Sequence, residues 1–300
     1  RYQLSESLVT EKKPSQSGSL RGRILVAEDA AGNQALIRLL LERLGLEVVI
    51  VENGQQAVDR ALSESFDLIF MDMQMPVMNG YDAVRMLRQK GYTGPIVALT
   101  ANAMKEDEKK CLAAGCDGYL QKPIDRAILS ERLHTYLQRK ESGMESQEPT
   151  RSEMDPMREL YEESGRASGE EKVNGAGSDS GVPIDWEELS RVCDDPEILE
   201  VVAQTVLDET PDVLGQLQEA VRQQDTAAIQ LLAHRIKGTA KNLAAKTLAE
   251  KAFALELAAK EGQTENAQAM LDEICEAAEQ LKAFLAQENW IEQVKTAVRG

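Results

Sequence analysis

The feature that most constrains the fold is an alternation of short apolar runs with amphipathic stretches between residues 23 and 138. Apolar runs lie near 24–28, 48–51, 67–71, 95–100 and 117–120, and helical patterns lie near 33–44, 55–64, 81–90, 104–114 and 124–138. Strands that alternate with helices form a parallel sheet, and strands without a polar face need helices on both sides of it. The sequence therefore predicts a doubly wound α/β domain with a five-stranded parallel sheet.

The second half of the chain has a different pattern. After Ile184, apolar residues recur at helical spacing near 185–192, 196–222, 226–242, 246–261 and 264–288. Turn residues such as Gly262 separate these segments, and Pro211 is expected to kink or restart the second one. Long helices joined by short loops pack side by side in alternating directions, so we predict an all-α four-helix bundle.

Two polar segments indicate the domain boundaries. Residues 1–21 are typical of an N-terminal linker, and the start at Arg1 indicates that something precedes it in the parent protein. Residues 141–183 are typical of an acidic flexible linker, with eleven acidic and four basic residues over 141–182. Asp155 followed by Pro156 predicts one short helix within it. The predicted domains are residues 22–140 and 184–300.

Charge and composition exclude several classes of function. The net charge of −17 repels anionic partners, so we expect no nucleic-acid partner. No apolar run approaches the roughly 18 residues that span a bilayer, so no membrane contact of this segment is expected. The predicted location is the cytoplasm, and an inner-membrane anchor in the missing N-terminal part of the parent stays open. The four cysteines lack a CxxC pair, which favours buried or incidental thiols over a zinc or disulfide site.

Reactive side chains follow four of the predicted strands. Glu28 and Asp29 follow the first, Asp72 the third, Thr100 the fourth and Lys122 the fifth. The carboxyl ends of parallel strands meet at one edge, so these side chains should converge. Three carboxylates repel one another unless a cation is present, and an oxygen-lined pocket suits Mg²⁺. Asp72 is then predicted to act as a nucleophile on phosphorus, while Lys122 and Thr100 bind phosphoryl oxygens.

The motifs RILVAED, FDLIFMDMQMPVMNG, VALTAN and YLQKP resemble the response-regulator receiver domain over residues 22–138. The resemblance implies a flavodoxin-like strand order of 2-1-3-4-5 and a 4-aspartylphosphate on Asp72. It also implies a cis peptide bond at Lys122-Pro123 and a backbone carbonyl of Gln74 that binds Mg²⁺. Tyr119 would be a rotamer switch coupled to Thr100.

The chain has two histidines, and one of them has reactive neighbours. His134 lies near the end of the last helix of the first domain, where we predict a structural role. His234 shares a helix face with Lys237 and Lys241, and Gly238 leaves a gap for an approaching partner or phosphoryl group. A neutral imidazole accepts a phosphoryl group, and neighbouring ammonium groups stabilise the attached phosphate.

The segment from His234 to Gly238 resembles the His-x-Leu-Lys-Gly pattern of the histidine phosphotransfer domain, and the likeness spans residues 184–290. It implies a phosphohistidine on His234. The family usually has glycine where Ala244 stands, so a slightly different turn is expected there.

The two resemblances together predict that the chain takes part in a two-component phosphorelay. A receiver domain followed by a histidine phosphotransfer domain resembles the C-terminal end of a hybrid sensor histidine kinase. An upstream histidine kinase domain would load Asp72, His234 would take the phosphoryl group, and a downstream response regulator would accept it. The sequence contains no Asp-x-Gly-x-Gly nucleotide lid, so ATP binding by that route is not predicted and enzymatic activity stays open. Two alternatives remain. One is a phosphate sink drained by His234, and the other is an aspartate-nucleophile phosphatase, whose expected second Asp is replaced by Gln74.

Overall fold

Strands and helices alternate along the first part of the structure, a computed structural model that describes residues 20–101, 105–141 and 182–297. The strands are β1 (Arg23–Ala27), β2 (Glu47–Val51), β3 (Leu68–Asp72), β4 (Ile96–Thr100) and β5 (Gly118–Gln121). The helices are α1 (Ala31–Arg43), α2 (Gly54–Ser63), α3 (Gly80–Gln89), α4 (Lys105–Ala114) and α5 (Arg126–Glu141). All strand pairs are parallel and the order is β2-β1-β3-β4-β5, which confirms the predicted sheet.

Helices cover both faces of this sheet because the central strands are apolar on both sides. Ile24 and Val26 of β1 pack on one side with α1 and α5, whereas Leu25 and Ala27 pack on the other side with α2, α3 and α4. Every residue of β3 and β4 is buried. Polar side chains of these strands therefore have to lie at the strand ends, where the chain leaves the sheet.

The second part is helical, as predicted. It contains α6 (Trp186–Val192), α7 (Pro196–Gln223), α8 (Thr226–Asn242), α9 (Lys246–Lys260), α10 (Ala267–Leu285) and α11 (Trp290–Ala297). The long helices α7 to α10 pack around a shared apolar core and form the predicted bundle. In the described parts of the chain, no helix is both long enough and apolar enough to cross a membrane.

Acidic side chains begin three of these helices. Asp185, Asp195 and Asp225 each accept a hydrogen bond from a backbone amide in the first turn of the helix that follows. Ala244, in the loop between α8 and α9, has a φ of 51°, in the left-handed region that glycine adopts most easily. The structure thus gives a reason why glycine is usual at this position.

The structure corrects two details of the predicted bundle. Of the kink or restart predicted at Pro211, the restart is wrong, because helix α7 continues through the proline. Val206 and Val213 are buried on either side of the proline, so packing against the bundle holds both halves in one helix despite the lost hydrogen bond. The last predicted helix ends earlier, at Leu285, and α11 follows because Trp290 and Val294 are buried in the core.

The bundle packs against α1 of the sheet domain. Helix α1 contacts both α7 and α8, and one continuous apolar cluster contains residues of both domains. Ion pairs from Arg43 to Asp195 (3.0 Å) and from Arg126 to Asp194 lie at the edge of this contact. Because α1 directly follows Glu28 and Asp29, this packing brings the bundle next to the carboxyl edge of the sheet.

The predicted linkers lie mostly outside the described residues. This applies to residues 1–19 and 142–181, and therefore to the short helix predicted at Asp155-Pro156.

Candidate functional site

Three carboxylates meet at the carboxyl edge of the sheet. Glu28 and Asp29 follow β1, Asp72 ends β3, and one oxygen of each lies within 4.8 Å of the others. Glu28 and Asp72 are buried, with 2% and 3% of their surface exposed, while Asp29 is half-buried. The group therefore has two buried acids and one that faces the opening of the pocket.

Lys122 brings a positive charge into this acidic pocket. Its Nζ lies 2.5 Å from Glu28 Oε2 and 2.7 Å from Asp72 Oδ2. The Lys122-Pro123 peptide bond is cis, as the resemblance implies. The Lys122 amide donates to the Thr100 carbonyl at 2.7 Å, and Thr100 is buried at the end of β4. The ends of β1, β3, β4 and β5 thus contribute to one pocket.

The pocket holds more negative than positive charge. Burial raises the pKa of Glu28, and Lys122 offsets this only in part. Burial also raises the pKa of Asp29 to about 7, with a further contribution from the charges of Glu28 and Asp72. For Lys122, burial lowers the pKa, but the two carboxylates outweigh it and the net shift is upward. One ammonium against three carboxyl groups leaves a site suited to a divalent cation.

The donor set fits Mg²⁺. Its ligand atoms are carboxylate oxygens, which are the hard donors that this ion prefers, and the half-buried Asp29 leaves access for water. The pocket therefore has the chemistry of a magnesium site.

The loop after β3 passes close to Asp72. The amide of Gln74 donates to Asp72 Oδ1 at 3.0 Å, so the backbone of Gln74 lies beside the pocket. A Cβ on Gly80 would lie 2.1 Å from the Asp72 carbonyl oxygen, and only glycine allows this approach. Tyr119 is half-buried on β5 next to Ala98 of β4. Its role as a switch stays a prediction.

His234 lies on α8 with only 6% of its surface exposed. Its Nδ1 donates to Glu256 Oε1 at 2.8 Å, because an ionised carboxylate can only accept. The other ring nitrogen, Nε2, then has the free lone pair that a nucleophile needs. Lys237 donates to Glu256 Oε2 at 2.5 Å, and its ammonium lies 5.3 Å from the centre of the Phe253 ring.

Glu256 belongs to this candidate site, although the sequence patterns did not reveal it. It lies on α9, 22 residues after His234, and binds both His234 and Lys237. Burial raises its pKa, but the hydrogen bonds and charges of these two partners lower it more, so the net shift is downward. The available signal was an acid on an apolar helix face, among Ala249, Ala252 and Ala259.

The gap that was predicted at Gly238 is occupied by the side chain of Asn33. A Cβ at this position would lie 3.4 Å from Asn33 Nδ2 of α1, so the residue opposite the gap belongs to the sheet domain of the same chain. Lys241 is half-buried one turn further along α8.

His134 and the cysteines lie outside both sites. His134 Nδ1 forms a hydrogen bond with the Ser130 carbonyl of its own helix at 2.7 Å, which agrees with a structural role. All four cysteines are free thiols; three are buried, and Cys275 is half-buried.

Comparison with known families assigns both halves of the chain. Residues 24–134 match the response regulator receiver domain, and residues 201–284 match the Hpt domain. BarA of Shigella flexneri, a signal transduction histidine-protein kinase, is 30% identical over 72% of this chain. The sensor protein GacS of Pseudomonas syringae pv. syringae is 42% identical over 36% of it. The chain therefore joins a response regulator receiver domain to an Hpt domain.

Much of each relative has no counterpart here. The chain spans 22% of BarA and 13% of GacS. Among solved structures, one similar chain is the receiver domain of the sensor histidine kinase PA1611 from Pseudomonas aeruginosa, which holds a magnesium ion in its active site cleft. It is 42% identical in sequence, the match covers 39% of this chain and 98% of that chain, and the TM-score is 0.37.

Proposed function

We propose that the chain carries phosphoryl groups on Asp72 and His234 and passes them between its two domains. The observation that carries this proposal is the packing of α8, which bears His234, against α1, which begins directly after the acidic pocket. A carboxylate with a buried ammonium partner and an imidazole with one free ring nitrogen are both suitable phosphoryl acceptors.

At Asp72, the residues of the chain bind and orient the incoming group. Lys122 binds one phosphoryl oxygen with its ammonium, and the Thr100 hydroxyl binds another. Mg²⁺ held by Glu28, Asp29, Asp72 and the Gln74 carbonyl supplies further charge neutralisation when bound. A carboxylate oxygen of Asp72 forms the bond to phosphorus, and the donor histidine departs.

At His234, transfer from Asp72 forms a P–N bond and breaks a P–O bond. The Nε2 lone pair attacks phosphorus, and the Asp72 carboxylate leaves with the electron pair of the broken bond. The proton stays on Nδ1, where ionised Glu256 stabilises the positive charge that develops on the ring. The ammonium groups of Lys237 and Lys241 stabilise the attached phosphate, and Gly238 adds no side chain to this helix face. Both linkages are activated, so the supply of donor and acceptor sets the direction.

The proposed domains are residues 22–140 for the receiver and 184–300 for the Hpt domain, with linkers at 1–21 and 141–183. An upstream histidine kinase domain supplies the phosphoryl group and a downstream response regulator accepts it. We place the chain in the cytoplasm as the C-terminal part of a hybrid sensor histidine kinase. The likeness to BarA and GacS supports this order, since both are named as kinases or sensors.

Chemical stability of the label tests the two proposed sites. The chain is incubated with a radiolabelled phosphorylated histidine kinase domain, and the label is then exposed to acid and to base, which distinguish an acyl phosphate from a phosphohistidine. We expect both linkages in the wild type, only the acyl phosphate in His234→Gln, and neither in Asp72→Asn. A phosphohistidine in Asp72→Asn would contradict the proposed order.

The same experiment separates the alternatives. If no response regulator receives the label from His234, the chain is a phosphate sink. Hydrolysis of a general phosphomonoester would instead indicate an aspartate-nucleophile phosphatase.

A further inference from the structure

The contact between the two domains includes a polar connection in its interior. Asn33 on α1 and Asn242 on α8 are each 5% exposed. The Asn242 Nδ2 donates to the Asn33 Oδ1 at 2.7 Å. This hydrogen bond offsets part of the cost of burying the two amides, although Asn242 Oδ1 is buried without a hydrogen-bond partner among the described residues.

Asn33 also contacts the acidic pocket. Its Nδ2 donates to Glu28 Oε1 at 2.8 Å, and the other oxygen of Glu28 binds Lys122. The amide orientation follows from the partners: a carboxylate only accepts, so nitrogen faces Glu28 and oxygen faces Asn242. A single side chain thus connects a carboxylate of the receiver pocket to the helix that carries His234.

The backbone next to Asn33 also contacts the bundle. The Gly32 amide donates to Glu209 Oε2 on α7 at 3.2 Å. On the opposite side, a Cβ at Gly238 would be in van der Waals contact with Asn33 Nδ2, at 3.4 Å. Asn33 is therefore held between the pocket and the bundle.

We propose that Asn33 is a positioning residue that couples cation binding at Glu28 and Asp29 to docking of the Hpt domain. The inference rests on the proposed function, because it assumes that the pocket binds Mg²⁺. With the bundle docked, Asn242 holds the Asn33 amide toward Glu28, which fixes the orientation of the Glu28 carboxylate. Docking then strengthens Mg²⁺ binding, and by thermodynamic reciprocity Mg²⁺ strengthens docking to the same extent.

This coupling is tested by titrating the full chain with Mg²⁺ in a calorimeter, with a substitution placed in the Hpt domain rather than in the receiver. Asn242→Ala removes the donor to Asn33 without touching the pocket. We expect the dissociation constant for Mg²⁺ to rise about two- to tenfold, since a net hydrogen bond contributes about 0.5–1.5 kcal/mol. Asn266→Ala, at the start of α10, is the matched control and should bind as the wild type does.

A double-mutant cycle shows whether the effect passes through Asn33. In an Asn33→Ala background, Asn242→Ala should cause no further loss of Mg²⁺ affinity. Additive effects, or an Asn242→Ala affinity equal to that of the wild type, would overturn the coupling while leaving the proposed function intact. Failure of the wild type to bind Mg²⁺ would overturn both.

Hydrogen exchange provides a readout that does not depend on the folding of Asn242→Ala. In the wild-type chain, Mg²⁺ should slow amide exchange in α1 and α8, because docking becomes more favourable. The slowing should be lost in Asn33→Ala, whose substitution lies in the receiver. Equal slowing in both proteins would also overturn the coupling.

Discussion

Replacing Gly32 with alanine should weaken docking of the Hpt domain while leaving the acidic pocket able to react. A Cβ at position 32 would lie 2.8 Å from Val206 Cγ2 and 3.3 Å from Thr239 Cγ2. Carbon atoms pack at about 3.5–4.0 Å, so α7 would have to move back by roughly 1 Å. Valine has one strongly preferred rotamer in a helix, and Val206 cannot turn its methyl group away cheaply.

The size of the effect follows from the cost of overpacking. Added methyl groups in packed interiors cost about 1–3 kcal/mol. At about 1.4 kcal/mol per factor of ten, the docking equilibrium should fall roughly five- to 100-fold. Because Gly32 lies within a helix and alanine favours helices, the receiver itself should not lose stability. We expect the loss to fall on the contact between domains.

The assay is a single-turnover transfer from phosphorylated Asp72 to His234 in the full chain. Gly32→Ala should slow this transfer roughly five- to 100-fold, the expected fall in the docking equilibrium. The variant should still accept phosphate from a small-molecule donor at the wild-type rate. Gly215→Ala on α7 is the matched control, since no described atom outside the local backbone of that helix lies within 4 Å of the added Cβ. Transfer in Gly32→Ala within twofold of the control would refute the assignment of this contact to the transfer step.

Four further predictions concern the metal, the histidine site and the linker. Excess chelator should abolish labelling of Asp72 by small phosphodonors, and Asp29→Asn should weaken Mg²⁺ binding in calorimetry; undiminished labelling would remove the metal assignment. Lys237→Ala should slow transfer to a response regulator without ending it, whereas His134→Gln should match the wild type. The pKa of Glu256 is lower in the folded chain than its ordinary value of 4.5. The ionised Glu256 side chain therefore stabilises the folded state above about pH 4.5, and this contribution is lost as the pH falls through the lowered pKa. Urea unfolding should therefore show a steeper loss of stability in the wild type than in Glu256→Gln at acidic pH. Transfer from Asp72 to His234 should be independent of protein concentration and should slow when the linker at 141–183 is cleaved; a rate proportional to concentration would indicate exchange between chains.

The sheet and the acidic pocket could be predicted because both depend on local patterns. Each predicted strand lies within one residue of its observed ends, since fully buried strands leave an unbroken apolar run in the sequence. The parallel arrangement then requires that residues at strand ends meet, which is why the sequence alone assigns Glu28, Asp72 and Lys122 to one pocket.

The contacts between helices could not be predicted in the same way. Helical spacing shows which residues share a face but not which helix that face contacts. Glu256 is close to His234 only because α9 packs along α8, and Asn33 meets Asn242 across two domains. A restart of the helix at Pro211 could not be ruled out from the sequence for the same reason, since the packing that keeps α7 continuous comes from residues far away in sequence.

The packed arrangement also has a consequence for the order of events. His234 is buried on α8, and α8 contacts α1 of the receiver. We therefore expect that a downstream response regulator reaches His234 only after the bundle leaves its own receiver. A linker that behaves as a flexible chain over residues 141–183 would have an r.m.s. span of roughly 35 Å, comparable to the diameter of a small domain. Such a tether would keep the two domains at an effective concentration near the millimolar scale, and the bundle would return readily after each departure. On that order of events, we expect docking to be weak enough for a free regulator to compete. The ion pairs of Arg43 and Arg126 lie at the edge of the contact between the domains and are partly exposed. Exposed ion pairs contribute little to stability, which suits a contact between domains that forms and breaks repeatedly. In the proposed coupling, the buried hydrogen bonds of Asn33 are the part of this contact that responds to cation binding in the acidic pocket.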